Sequence, residues 1–165
     1  MLPPKLPASK EWRHVLENEF GFKCISSNTE IPEDALWTTS CSKTKKTGKS
    51  GKPKDFYRGR YSILFYDYVE KHKLPYGVIS DKYGIHMFDE ELEYYDVHPR
   101  ELTIGDKKHL GRLIREKIKE YGFSELVFYY PSPLLSQPYF EILWFSQLDV
   151  NYLTQIKNLF KEIKP

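Results

Sequence analysis

Cysteine is scarce in this chain, with two residues, Cys24 and Cys41, among 165. They form no CxxC pair, so there is no zinc signature, and two thiols without a secretory apolar segment argue against a disulfide framework. No run of histidine, cysteine or carboxylate has metal-ligand spacing, and neither a metal nor another cofactor is implied. Long apolar runs are missing too, and nothing approaches the ~18–20 residues a membrane span needs. The opening Met1-Leu2-Pro3-Pro4-Lys5-Leu6-Pro7 is too short and too proline-punctuated for a signal peptide, which makes the cytoplasm the expected location. Glycine is absent where a nucleotide loop would require it. Gly48-Lys49-Ser50 looks like the end of a P-loop, but the motif's first glycine would fall at Lys43, which disfavours a Walker-type NTPase.

A one-sided charge is also lacking overall, at a net +2. The charge is segregated instead. Lys43 to Arg60 carries eight basic residues against Asp55, and Ser80 to Glu101 carries seven acids against Lys82 and Arg100. Either segment can set a local field that the total conceals. What the chain has in excess is tyrosine, 13 residues within a 16% aromatic share, which supplies core bulk or ring faces and hydroxyls at a binding surface.

The length fits one domain over residues 1–165, with residues 1–8 an extended tail and 42–54 a mobile lysine-rich loop. Periodicity and capping predict helices over 9–20, 58–72 and 106–121, the second with Tyr61, Leu64, Phe65, Tyr68 and Val69 on one stripe and the third closed by Gly122. Strands are predicted over 22–26, 35–39, 74–79 and 125–130, with a long acidic connection from Ser80 to Pro99. Residues 139–145 suit strand or helix, and Asp149 is positioned to open a last helix. Strands alternating with helices imply a three-layer α/β fold with a mainly parallel central sheet of about four strands.

That topology has a functional consequence, because ligands of open parallel sheets bind beyond the strand carboxyl ends. Three polar loops would meet there: Cys41-Ser42-Lys43, Ser80-Asp81-Lys82-Tyr83-Gly84 and Tyr130-Pro131-Ser132-Pro133. Ser42 and Lys43 suit a phosphate or carboxylate, and Lys45, Lys46 and Lys49 suit diffuse attraction to a nucleic-acid backbone. Cys41 is a candidate nucleophile or simply a small packing residue. Gly84 permits a sharp turn that lets backbone approach a ligand, and Tyr83 can stack on a planar ring or pack as an ordinary turn residue. Among the acids, Asp96 is the candidate acid–base group, since Tyr94 and Tyr95 can bury and orient it. His86 and His98 read as structural. Ser80, Lys82, Tyr130 and Ser132 complete the candidate substrate-binding set.

The order Cys41 to Lys45, Phe56-Tyr57, Ile79 to Ile85 and Tyr95-Asp96 resembles an uncharacterised family of small microbial and phage domains, over about residues 35–100. A second likeness lies in Tyr130-Pro131-Ser132-Pro133-Leu134-Leu135-Ser136, which is similar to the His-Pro-Ser-Pro-Leu-Ser loop of uracil-DNA glycosylases. That likeness implies a uracil-DNA glycosylase-like parallel sheet with its site at the strand carboxyl ends, a fold also found in archaeosine-synthase-like proteins. Tyr130 stands where that superfamily has a base-polarising histidine, and no Gly-Gln-Asp-Pro-Tyr motif follows the first core strand. Two functions follow as expectations. One is a nucleic-acid base or nucleoside modification enzyme acting at an N-glycosidic bond, on DNA, tRNA or a free nucleoside. The other is a noncatalytic nucleic-acid-binding module, accessory to a modifying enzyme.

Overall fold

A computed structural model describes residues 2–9, 11–27, 30–41, 50–95 and 102–156. Its centre is a six-stranded sheet in the order β1-β8-β7-β2-β4-β5. The strands are β1 (Lys23–Cys24), β2 (Leu36–Ser40), β4 (Tyr76–Ser80), β5 (Gly84–Met87), β7 (Glu125–Tyr129) and β8 (Asp149–Leu153). All neighbours run parallel except β4 and β5, which pair antiparallel through the turn at Asp81–Tyr83. A separate two-stranded piece joins β3 (Ser50–Gly51) to β6 (Leu92–Glu93).

Two expectations are corrected here. The sheet has six strands rather than about four, and residues 149–153 form a strand rather than the start of a helix. Asp149 looks like a helix cap, but Val150 to Leu153 are flanked by parallel partners on both sides, β7 and β1. The polar residue in that run is accommodated as well, because Asn151 Nδ2 donates to Leu126 O at 3.1 Å and Glu125 Oε2 at 2.9 Å. A third correction concerns the acidic connection, which holds β5 rather than running as loop from Ser80. The open choice at 139–145 resolves to helix, within α5 (Gln137–Ser146), whose first turn carries Pro138.

Helix α1 (Trp12–Val15) runs into a π-turn over Leu16–Phe20 and stops at Gly21. Helix α2 (Pro53–Phe56) follows β3 after the single residue Lys52. Helix α3 (Arg60–Lys71) covers one sheet face, through Tyr68 against Trp37 and Phe65 stacked on Tyr129. Its Tyr61 is exposed instead of lying on the inward stripe. Helix α4 (Ile104–Glu120) begins with a reciprocal cap, Thr103 Oγ1 accepting from Asp106 N and Asp106 Oδ2 from Thr103 N. Phe140 of α5 packs on Phe128 and Tyr152 on the opposite face of the sheet. Residues 2–8 hold no helix or strand and are tied down by Gln137, whose Oε1 accepts from Leu6 N at 2.9 Å and whose Nε2 donates to Pro4 O at 2.9 Å.

Helices α4 and α5 meet closely, because a Cβ on Gly111 would stand 2.8 Å from Ile142 O. Lys107 and Glu141 form a nearly buried ion pair across the same contact, at 2.7 Å. Among the described residues no helix is long and apolar enough to cross a membrane.

His86 lies in β5 under the rings of Phe56 and Tyr57, and its Nε2 is 2.7 Å from Glu90 O. Burial lowers its pKa, partly offset by the Glu90 carbonyl and charge. The unfolded chain therefore takes up the proton more readily than the folded one. The stability this represents is complete above the unfolded value, about 6.5, and is lost as pH falls through the depressed folded value. Melting temperatures between pH 8 and pH 5 are expected to fall with acid, and His86→Gln is expected to flatten that slope. An unchanged slope in the variant would remove His86 as its source.

Candidate functional site

The parallel strands β2, β4 and β7 end side by side, and polar side chains gather at those ends. Cys41 directly follows β2, its N–H held by Ile79 O of β4 at 2.9 Å. Asp81 directly follows β4 and is only 3% exposed. The Cys41 thiol donates to Asp81 Oδ1 across 3.8 Å and lies 3.3 Å from the Tyr139 hydroxyl of α5, which also donates to Cys41 O. A carboxylate, a thiol and a phenol thus share one buried corner.

A second chain of hydroxyls adjoins it. Ser80 Oγ accepts the N–H groups of Lys82 and Tyr83, which shapes the turn after β4, and donates to Tyr95 Oη at 2.8 Å. Tyr95 Oη is 2.8 Å from Tyr57 Oη. Tyr66 steadies Tyr57 from α3 by donating to its carbonyl at 2.8 Å. Burial foremost pushes the Tyr57, Tyr95 and Tyr139 hydroxyls far above the usual phenol range, and charge at Cys41 and Asp81 pushes in the same direction. All three are neutral at pH 7 and so present protons for donation rather than negative charge.

An aromatic rim borders this corner. Tyr130 is half-buried and meets the exposed ring of Tyr61 edge-on at 6.2 Å. Burial raises the Tyr130 pKa, with Tyr61 and then Cys41 adding to the shift. Ser132, half-buried in the loop after β7, offers its carbonyl to Ser136 Oγ at 2.8 Å.

The other candidates from the sequence are placed as follows. Tyr83 is half-buried, with its hydroxyl on Glu93 O, its ring edge-on to Tyr95, and the exposed Lys82 ammonium 5.3 Å over its face. Gly84 has φ +80, and a Cβ there would stand 3.0 Å from Leu113 Cβ and 3.1 Å from Leu110 O. Its bare backbone therefore admits helix α4. Ser42, Lys43, Lys45, Lys46, Lys49 and Asp96 lie outside the described residues, as does His98.

Sequence reasoning gives Asp81, Tyr57, Tyr95, Tyr139 and Tyr61 no chemical role of their own at the site, although Asp81 lies in a strand-end loop and Tyr57 and Tyr95 in the family motif. For Asp81 the signal was present: a carboxylate immediately after a buried parallel strand. It was outweighed by the dense acidic run downstream, where Asp96 drew the assignment. Among the described residues no group of three or more histidine, cysteine or carboxylate side chains is arranged to hold a metal ion.

No curated protein and no solved structure matches the chain. Residues 37–147, which contain Cys41, Ser80, Asp81, Tyr95 and Tyr139, match the family of unknown function DUF6884, and the chain belongs to that family.

Proposed function

We propose that this chain is an enzyme of nucleobase or nucleoside modification that acts at an N-glycosidic bond, with its site at the carboxyl ends of β2, β4 and β7. The observation that carries this reading is the sequestered Asp81 carboxylate, held beside a thiol and three neutral tyrosine hydroxyls. A phosphate-tracking surface has no use for a buried acid of that kind, whereas proton transfer does. The rim rings of Tyr61 and Tyr130 supply a place for a planar base beside it.

In this reading Asp81 takes the acid–base role. It accepts a proton from water as the water oxygen bonds to the sugar C1′. The C1′–N bond breaks with its electron pair passing to the base nitrogen, and a buried tyrosine hydroxyl, Tyr139 or Tyr95, donates a hydrogen bond to the departing base. Cys41 sets the orientation of the carboxylate through its thiol. Ser42 and Lys43 hold phosphate, Lys45, Lys46 and Lys49 attract a nucleic-acid backbone diffusely, and Lys82 and Tyr83 contribute to substrate binding. The uracil-DNA glycosylase-like assignment of the fold belongs to the same proposal, supported by a parallel sheet with its polar cluster at the strand ends. With Tyr130 at the position of that superfamily's histidine, the base need not be uracil.

Binding of labelled single-stranded DNA, double-stranded DNA and tRNA at two salt concentrations tests the partner class. Salt-sensitive binding weakened by both Lys43→Ala and Tyr83→Ala is expected. The same binding with no base released from any substrate would favour the noncatalytic module, and no binding of nucleic acid or nucleosides would overturn both readings.

A further inference from the structure

The opposite end of β4 holds a second feature, remote in the strand from Cys41 and Asp81. There a groove of about 560 Å³ is bordered by Lys52, Lys54, Glu70, Lys73, Tyr76 and Phe88, with Leu74 and Pro75 in its floor. Lys54 is neutralised by Glu70, 2.7 Å away. Lys52 and Lys73 form no ion pair among the described residues, and the Asp55 carboxylate accepts from the Lys52 N–H at 2.9 Å.

The backbone of Lys73 makes its position more informative. Helix α3 ends with Lys73 N–H on Glu70 O and Leu74 N–H on Val69 O, and α4 ends with the same pair of bonds from Gly122 and Phe123. The motif needs a left-handed residue, and glycine occupies it without strain. Gly122 fills it in α4 at φ +89, but α3 has Lys73 at φ +52. Gln147, after α5, is the other left-handed non-glycine residue described, and its side chain accepts a bond from Arg115 at 2.8 Å. The Lys73 side chain has no comparable structural bond among the described residues. It lines the groove instead.

The apolar part of the groove is aromatic. Phe88 is 37% exposed and pairs on its inner side with Tyr76, at 5.7 Å. The Tyr76 hydroxyl has no hydrogen-bond partner among the described residues, and burial pushes its pKa up to about 12, with Glu70 and Asp55 adding to the rise. It is a neutral donor at the groove wall.

We propose that this groove is a second ligand site that takes a nucleoside phosphate unit, with the phosphate between Lys52 and Lys73 and the base against Phe88. Lysine ammonium groups and an accessible ring in one groove match the two halves of a nucleotide. The inference goes beyond the glycosidic reading and does not depend on it, since no residue is shared between the two sites.

Calorimetric titration of the full chain with adenosine monophosphate, inorganic phosphate, an acidic peptide and a short oligothymidylate tests it. Adenosine monophosphate is expected to bind more tightly than phosphate or peptide. Lys73→Gly is expected to weaken it about fivefold or more while raising Tm by about 2 °C, because the strained backbone relaxes. A purely structural lysine would not lose binding as the fold gains stability. Phe88→Ala is expected to weaken the nucleotide but not inorganic phosphate. Oligothymidylate binding more tightly than the mononucleotide identifies a nucleic-acid strand as the source, and the reverse identifies a free nucleotide. Unchanged affinity in Lys73→Gly or Phe88→Ala, or tighter binding of the peptide, would overturn the proposal.

Discussion

Asp81→Asn is expected to lower base release by about 10²–10⁴-fold, the range a positioned acid–base group contributes, while leaving ligand affinity within a few-fold of the wild type. The substitution keeps the shape of the side chain, and its amide oxygen can still accept from the Cys41 thiol at the place of Oδ1. What it removes is the capacity to take up a proton. The site is buried and its tyrosine hydroxyls are neutral, so they cannot replace the lost base. Single-turnover measurements on wild type and variant, with melting curves alongside, separate a chemical loss from an unfolded protein. Equal rates would move the chemistry away from Asp81, and Asp96 would be the next carboxylate to replace.

Gly111→Val is expected to be the most damaging single change to the fold outside the site. A Cβ at this position would lie 2.8 Å from Ile142 O and 2.9 Å from Phe145 C, both backbone atoms of α5 that cannot rotate away. The helices would have to separate, disturbing the Lys107–Glu141 pair at the same crossing. Overpacking of this kind costs about 3 kcal/mol or more, beyond the roughly 0.3–0.5 kcal/mol of helix propensity gained on replacing glycine with valine. For a chain of this size that is a fall in Tm of about 6–12 °C. Gly105→Ala, in the same helix, is the control. Its added Cβ would meet only Thr103 Oγ1, at 3.7 Å, and the variant should be as stable as the wild type or slightly more so. An unchanged Tm in Gly111→Val would mean that α4 and α5 do not cross as described.

How far the sequence reveals this molecule depends on where the local signals are strong. The apolar repeat of Leu110, Ile114 and Ile118, with Gly122 as a stop, suffices for α4. The runs Leu36 to Ser40, Tyr76 to Ser80 and Glu125 to Tyr129 are apolar enough to read as buried parallel strands, and from them follows the alignment of Cys41, Ser80 and Tyr130 at one edge. The two strands beyond the expected four, β5 and β8, are less legible. β5 lies inside the acidic connection after Ser80, and β8 starts with an aspartate that mimics a helix cap. Tertiary pairing, which no local pattern encodes, decides both. The site was legible as a set of strand ends and not as a set of partners. Tyr139 arrives from α5 and Tyr95 from beyond β6, at sequence separations of 98 residues from Cys41 and 15 from Ser80. Nothing in the spacing of those tyrosines distinguishes them from the other eleven.

The central claim is that the buried carboxylate at the end of β4 performs chemistry on a base–sugar bond. Chromatographic measurement of free base released from nucleosides, DNA and tRNA, by wild type and Asp81→Asn side by side, tests it most directly. Release by the wild type from at least one of these substrates, lost in Asp81→Asn while the variant stays folded, is the predicted result. Release that survives the substitution, or no release from any of them by a wild-type protein that binds nucleic acid, would contradict it.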